Sequence, residues 1–314
     1  MEMRTLGTSG PAVSLVGLGC NNFAGRIDFA ATEAVVEKAL ELGVTFFDTA
    51  DTYGHRGGNP GGSEEFLGRI LGPRRKEIVL ATKFGMASGS MKGGASRRYI
   101  MSAVEASLGR LKTDWIDLYQ LHRPDPRTPI EETLRALDDL VRQGKARHIG
   151  CSYLTGAQFE EALACSARNG LAVYLTCQNE YSLLERGIEA DLVPAMMRHG
   201  SGLLPYLPLA GGMLTGKYRR GATPPAGSRF SYTRWQADQF LTEARWRVVE
   251  ALEQFAAERG RSLLALAMGW LAARPAVSSI IAGATKPEQV AANVAAAAWR
   301  PSAEEMALID RITL

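Results

Sequence analysis

The segment Ala39-Leu40-Glu41-Leu42-Gly43-Val44-Thr45-Phe46-Phe47-Asp48-Thr49 holds one complete change of hydrophobic period. Over 31–42 the apolar residues recur at helical spacing. Gly43 then stands where a helix closes on a left-handed residue, and 44–49 reads as a short buried strand. The same alternation continues in both directions. Strand-like runs fall at 14–19, 44–49, 78–84, 116–122, 146–152, 176–181, 203–209 and 279–283. Helical patterns lie between them, at 31–42, 97–111, 130–143, 155–169 and 188–199. Eight runs, each followed by helix-forming sequence, predict parallel strands with helical crossovers. In 314 residues that favours an α/β fold of the (β/α)8 TIM-barrel kind over an open sheet.

Smaller signals agree. Gly144 ends the 130–143 pattern as Gly43 ends its own, Thr155 is a candidate N-cap, and Pro129 and Pro287 suit first turns. Segment 4–13, with Thr8-Ser9-Gly10 at its centre, predicts an N-terminal hairpin. Further helices around 243–259 and 263–272 precede the last strand. Three loops, 54–62, 85–96 and 210–234, are long or glycine-rich and follow the second, third and seventh strands. They therefore open on the C-terminal rim, where barrel enzymes place their sites. No Pro/Ser-rich linker or internal repeat divides the chain, so 1–314 is expected to be a single domain.

Composition narrows the function. The 36 Lys and Arg nearly balance 33 Asp and Glu, leaving +3, with no run of five like charges. Nothing calls for nucleic acid or an anionic membrane as partner. No stretch reaches the roughly 18 to 20 apolar residues of a membrane helix, and Met1-Glu2-Met3-Arg4 opens no secretory signal. The four cysteines (Cys20, Cys151, Cys165, Cys177) form no CxxC pair and the four histidines are scattered. A cytoplasmic setting without a metal site is expected.

Chemistry concentrates at three neighbouring strand ends. Asp48 closes the second strand and Tyr53 follows in Asp51-Thr52-Tyr53-Gly54; Lys83 closes the third and His122 the fourth. Alternation puts Val44, Phe46 and Asp48 on one face, and Val79, Ala81 and Lys83 on another. A polar residue ending an apolar face needs a partner, and Asp48 and Lys83 can supply one another. Any one of these residues alone reads as structural or solvated; together they read as a site.

These motifs resemble the aldo-keto reductase family, in its bacterial and potassium-channel β-subunit-like branch. The resemblance runs through Phe46–Gly54, the lysine segment ending at Phe84, Leu121-His122-Arg123-Pro124-Asp125, Gly144-Lys145-Ala146-Arg147-His148-Ile149-Gly150-Cys151-Ser152, Cys177-Gln178-Asn179-Glu180-Tyr181, Pro208-Leu209-Ala210-Gly211-Gly212 and 283–293. It implies an NADPH-dependent reduction of aldehydes or ketones by hydride transfer, with NADH a possible substitute. The partner is expected to be a small-molecule carbonyl or alcohol substrate. Tyr53 would be the general acid, Lys83 the ammonium that stabilises its phenolate, Asp48 the holder of Lys83, and His122 the donor that orients the carbonyl. The Lys83 charge is expected to pull the Tyr53 pKa below its free value of about 10. The implied cofactor contacts are Gly19, Cys20, Asn21 and Asp48 near the nicotinamide, Ser152 and Gln178 on its carboxamide, and Tyr206 on its face. Leu207, Pro208, Leu209, Ala210 and Gly211, with Lys217, would follow the pyrophosphate. Arg229, Gly283, Thr285, Gln289 and Asn293 would take the adenosine side, where a helix N-terminus offers N–H groups to a phosphate.

The family pattern is not matched everywhere: Tyr153 stands where Asn is common, Leu207 where Ser is, and Ala292 where Glu is frequent. Arg229 and Lys286 favour NADPH, because a 2′-phosphate needs cations. Two near-motifs fail. Gly17-Leu18-Gly19-Cys20-Asn21-Asn22 lacks the third glycine of a dinucleotide fingerprint, and the Gly211–Tyr218 stretch ends its phosphate-loop spacing on Tyr218 in place of Ser or Thr. Phe23, Phe84, Met86 and Trp235 are candidates for a substrate pocket, His55 faces substrate or solvent, and Cys20 reads as a buried thiol. Two alternative readings use the same residues: a dehydrogenase oxidising a sugar or alcohol, or a cofactor-bound regulatory or redox-sensing protein.

Overall fold

The computed structural model describes residues 1–87 and 93–314; the centre of the 85–96 loop, at 88–92, lies outside the described residues. Strands β1 (Met3–Thr5) and β2 (Ala12–Ser14) pair antiparallel as the expected hairpin. Eight parallel strands follow: β3 (Val16–Gly19), β4 (Phe46–Asp48), β5 (Val79–Phe84), β6 (Ile116–Leu121), β7 (Ala146–Ser152), β8 (Tyr174–Glu180), β9 (Gly202–Tyr206) and β10 (Ile280–Gly283). β10 pairs with β3. The remaining gap is crossed at Leu203, whose N–H donates to Ala276 O at 2.7 Å and whose carbonyl accepts from Ser278 N–H at 2.9 Å. The sheet thus closes into the (β/α)8 barrel that the alternation predicts.

Helices α1 (Phe29–Glu41), α2 (Gly62–Leu71), α3 (Arg97–Leu111), α4 (Ile130–Arg142), α5 (Gly156–Asn169) and α6 (Leu192–Arg198) each follow one barrel strand. Four more, α7 (Arg229–Tyr232), α8 (Arg234–Phe240), α9 (Glu243–Ala257) and α10 (Leu263–Ala272), fill the long path from β9 to β10. α11 (Pro287–Ala296) and α12 (Ala303–Thr313) complete the chain. Local chemistry sets the boundaries. Asp28 caps α1 by accepting from Ala31 N–H, Gly43 ends it at φ +76°, and Thr155 and Gln158 form a reciprocal capping box on α5. No helix among the described residues is long and apolar enough to cross a membrane.

Two apolar layers result from strand alternation. Phe47, Leu80 and Tyr119 face outward into the main core under the helices. Phe46, Ala81, Leu118, Leu204 and Ile281 face inward and meet Leu6 and Val13, so the N-terminal hairpin plugs the barrel floor. Gly17 makes room for this packing: a Cβ there would lie 2.9 Å from the Phe46 ring and 3.2 Å from Ile281 Cδ1.

Several boundaries differ from the sequence reading. Ser14 belongs to the hairpin strand β2. The run expected to continue to 209 stops at Tyr206, because Leu207 (φ +49°) and Ala210 (φ +46°) take left-handed conformations that turn the chain across the barrel mouth. The 210–234 loop contains a 3-10 turn at Ala210–Thr215 and the short helix α7. The 188–199 pattern breaks into a 3-10 turn, Gly187–Glu189, and α6. The sequence reading missed α12, although Ser302 and Glu305 spell its capping box.

Candidate active site

Two residues above the inward apolar layer, the same faces turn polar. Asp48 on β4, Lys83 on β5, Gln120 on β6 and Gln178 on β8 meet inside the barrel mouth. Lys83 Nζ donates to Asp48 Oδ2 at 2.6 Å, to Thr49 O at 2.9 Å and to Tyr53 Oη at 3.2 Å. Gln120 Nε2 and Gln178 Nε2 each donate to Asp48 Oδ1 at 3.0 Å. All three ammonium protons and both carboxylate oxygens are therefore engaged. Such satisfaction is what a fully buried ion pair requires, and its side chains are 0% and 2% exposed.

Tyr53 projects into the mouth on the loop after β4. Its backbone N–H donates to Ala50 O at 3.1 Å and its carbonyl accepts from Gly61 N–H at 3.1 Å, so the phenol is held from both sides. The His122 ring stands edge-on to Tyr53, with centroids 5.9 Å apart. His122 follows β6 directly, and its N–H continues the ladder to Phe84 O at 2.8 Å. Its Nδ1 is buried without a partner among the described residues.

Burial dominates the protonation states. At Lys83 burial works against the charge, but Asp48 and Tyr53 overcome it and hold the ammonium above the ordinary lysine range. Burial, helped by the Lys83 and Arg123 charges, pushes His122 well below the usual histidine range, so its ring is neutral at pH 7. Tyr53 departs from expectation. Burial raises its pKa above 10, outweighing the opposing pull of Lys83. The sequence reading weighed the ammonium and not the loss of water. Cys20 is a fully buried thiol whose pKa is raised by the same cause.

A cleft of about 690 Å³ opens on this constellation along the C-terminal strand ends. Asp48, Tyr53 and His122 line it, with Lys83 directly beneath. Gly19, Cys20, Asn21, Ser152 and Gln178 border the same end, and Tyr206, Leu207, Pro208 and Leu209 follow. The Tyr206 ring lies 5.2 Å from that of Tyr153, and Arg123 covers Tyr153 at 4.1 Å. Ser152 Oγ donates to Gln178 O at 2.6 Å, so toward a ligand the hydroxyl is an acceptor.

Further along lie Gly211, Lys217 and Arg229, then Gly283 at the end of β10, Thr285 just before α11, and Gln289 and Asn293 on that helix. Gly211 (φ +68°) and Gly212 (φ +103°) shape this half: a Cβ on Gly211 would sit 2.8 Å from the Phe230 ring, and one on Gly212 3.0 Å from Lys217 Nζ. Backbone turned outward beside cations, with no acid but Asp48 among the described residues along the cleft, suits an extended anionic ligand.

Some expected residues stand elsewhere. Ala210 is buried behind the turn and does not border the cleft; its left-handed backbone shapes the turn itself. Lys286 is exposed outside the cleft, because it occupies the N-cap of α11 and leaves the cleft to Thr285 and Gln289. Phe23 and Phe84 are fully buried, Phe84 stacked on Tyr119 at 4.7 Å, whereas Met86 and Trp235 do border the cleft. The sequence reading missed Gln120, although alternation from His122 puts it on the inward face. It also missed Arg26 and Arg56, which reach the cleft from two separate loops.

Comparison with known proteins adds a finding of a different kind. A model of the aldo/keto reductase family matches residues 15–313. The chain is 37% identical over 304 residues to a protein of Oryza sativa subsp. japonica named probable voltage-gated potassium channel subunit beta, covering 94% of this chain and 91% of that one. It is 33% identical over 324 residues to the L-glyceraldehyde 3-phosphate reductase of Escherichia coli (strain K12), covering 99% and 92%. An oxidoreductase of Bacillus subtilis (strain 168) is 36% identical over 299 residues, covering 92% and 89%.

Proposed function

The chain belongs to the aldo/keto reductase family, and from that premise we propose that residues 1–314 act as one NADPH-dependent carbonyl reductase with Tyr53 as general acid. The contact between Lys83 and Tyr53 carries the reading. An ammonium donates and cannot accept, so the Tyr53 oxygen is the acceptor in the 3.2 Å bond. The phenolic proton must therefore point away from Lys83, and the cleft is the open direction.

When bound, NADPH supplies the hydride for the carbonyl carbon. Tyr53 gives its proton to the carbonyl oxygen as that oxygen becomes negative, and Lys83 stabilises the phenolate left behind. Asp48, fixed by Gln120 and Gln178, keeps Lys83 charged and aimed. His122, neutral at pH 7, can donate a hydrogen bond to the carbonyl oxygen and is a poor proton source. Lys217 and Arg229 beside the glycine turn support the choice of NADPH, with the N–H groups at the start of α11 as further donors. The name of the E. coli relative makes glyceraldehyde 3-phosphate a natural first carbonyl to try.

The name of the Oryza sativa relative favours a second reading, in which a cofactor-bound protein regulates a partner. Turnover separates the two. A carbonyl reductase should oxidise NADPH with at least one aldehyde at about one per second or faster, the lower end of ordinary kcat values. Tyr53→Phe should keep its NADPH affinity and lose about 100-fold or more of that turnover. Near-normal turnover in this variant would remove Tyr53 from the acid role. With the Tyr53 pKa held above 10, the wild-type reductive rate should also show no descending limb between pH 7 and about 9.

A further inference from the structure

Two residues just past barrel strands take left-handed backbone without being glycine: Tyr153 (φ +62°) after β7 and Leu207 (φ +49°) after β9. A side chain with a Cβ is strained there, and Asn bears the conformation better than Tyr. Asn is common at the first of these positions in related chains, so the backbone of Tyr153 is ordinary and its side chain is the departure.

The strain is held by backbone bonds. Tyr153 N–H is shared between Gln178 O at 3.2 Å and Asn179 Oδ1 at 3.1 Å, and Asn179 Nδ2 donates to Leu154 O at 3.2 Å. None of these bonds uses the Tyr153 side chain, and Asn could make them at lower cost. What Tyr adds is its ring.

That ring belongs to a stack. Register pairs Ser152 with Gln178 and Glu180 with Tyr206, so β8 lies between β7 and β9, and Tyr153 and Tyr206 meet across its end. Their centroids are 5.2 Å apart with planes tilted by 36°, within the range of attractive aromatic pairs. The Arg123 guanidinium covers Tyr153, 4.1 Å from its centroid. Arg123 follows His122 in the chain and its charge helps to hold His122 below the usual histidine range, while Tyr53 and Tyr153 lie close enough to interact electrostatically. The stack therefore stands at the chemical end of the cleft. Both tyrosine rings border that cleft, and Tyr153 is 37% exposed. Tyr206 is the last residue of β9, so the strand offers no next residue on its face to hold the ring; Tyr153 does.

We propose that Tyr153, backed by Arg123, is a positioning residue that sets the Tyr206 ring as the wall against which the nicotinamide lies; this rests on the NADPH-dependent reading. Tyr153 takes no part in hydride or proton transfer. It removes orientations that the Tyr206 ring would otherwise sample, so that the dinucleotide meets a preformed face.

Fluorescence titration with NADPH tests this without turnover. Tyr153→Asn keeps the left-handed backbone and removes the ring, and the NADPH Kd should rise about threefold to tenfold, the scale of one aromatic pair. Tyr153→Phe keeps the ring and should restore most of the affinity. In a Tyr206→Leu background Tyr153→Asn should cost little, because the residue it acts through is gone. Arg123→Gln should weaken binding in the wild type and not in Tyr153→Asn. The urea midpoint of Tyr153→Asn should lie near that of the wild type, since the relieved backbone offsets the lost ring contacts. An unchanged Kd in Tyr153→Asn overturns the proposal. So does a penalty that persists in full beside Tyr206→Leu, which would make Tyr153 a contact of the cofactor itself. A raised carbonyl KM at unchanged NADPH Kd also overturns it and assigns Tyr153 to the substrate. A wild type that binds NADPH with the expected coupling between Tyr153 and Tyr206 but reduces no aldehyde would reject the carbonyl-reductase reading and keep the positioning role.

Discussion

Asp51, two residues before Tyr53, is buried and neither of its carboxylate oxygens has a partner among the described residues. Burial above all, and then the Glu64 carboxylate, push its pKa up to about 8, and the Arg110 and Lys83 charges only partly oppose them. Tyr99 on α3 and Tyr119 on β6 also face it. Glu64 is treated differently by the fold: Arg110 Nε donates to it at 2.7 Å and Thr82 Oγ1 at 2.6 Å. Asp51 is therefore a neutral acid at pH 7, which leaves Asp48 as the counterion of Lys83. The consequence for stability has a definite sign. The unfolded chain releases this proton near pH ~4, whereas the folded protein keeps it up to about 8. Between those values the folded state binds the extra proton, so the Asp51 contribution is complete below pH ~4 and is lost as pH rises, by at most ~1.4 kcal/mol per unit. Asp51→Asn removes the titration. Urea melts at pH 5, 6, 7 and 8 should show the variant gaining on the wild type at each step. Parallel stability curves would mean that Asp51 is ionised in the folded protein.

The elements show what the sequence could and could not disclose. Asp48, Lys83 and His122 were legible because a strand repeats every two residues, and a polar residue ending an apolar face has few places to go. The barrel was legible for the same reason, repeated eight times. The end of β9 was not, because Leu207 and Ala210 take positive φ without being glycine, and no local propensity announces that. Arg26 and Arg56 were not, because their proximity depends on two loops packing through Gly25 and Gly57, which are far apart in the chain. Lys286 was misread because a cation near a helix start can as easily face solvent. The turn after β9 offers the sharpest test of an element. Gly211 has φ +68°, and an added Cβ would press on the Phe230 ring at 2.8 Å. Gly211→Ala should therefore displace α7 and, with it, Arg229. It should cost about 1 kcal/mol for the left-handed backbone alone and weaken NADPH binding about tenfold or more. Tyr53 stands on another loop, so kcat at saturating cofactor should change far less than the NADPH Kd. Fluorescence titration beside steady-state kinetics checks this; an unchanged Kd would mean that the turn does not shape the cofactor half.

Across the whole molecule the barrel separates stability from chemistry along its axis. The N-terminal hairpin closes one end, with Leu6 and Val13 packed on Phe46, Ala81, Leu118, Leu204 and Ile281. The polar rung of Asp48, Lys83, Gln120 and Gln178 begins one layer above, and the cleft opens beyond it. A change at the floor must cross the Phe46 and Ala81 layer before it reaches Lys83, and that layer sits on paired strands whose positions are fixed by backbone ladders. Leu6 is fully buried, so Leu6→Ala opens a cavity that the surrounding strands cannot collapse to fill. The expected loss is about 2–5 kcal/mol of folding stability. The kinetic expectation is opposite in kind. Well below the melting temperature, kcat and KM should stay within about twofold of wild type, because effects at sites that share no partners are close to independent. Urea denaturation and steady-state assays on the same preparation decide between the two descriptions. Stability lost with kinetics intact supports a floor that only holds the barrel together. A parallel fall in kcat would mean that the inward layer transmits displacement from Leu6 to the Asp48–Lys83 pair, so that the hairpin helps to aim the site it faces through the barrel.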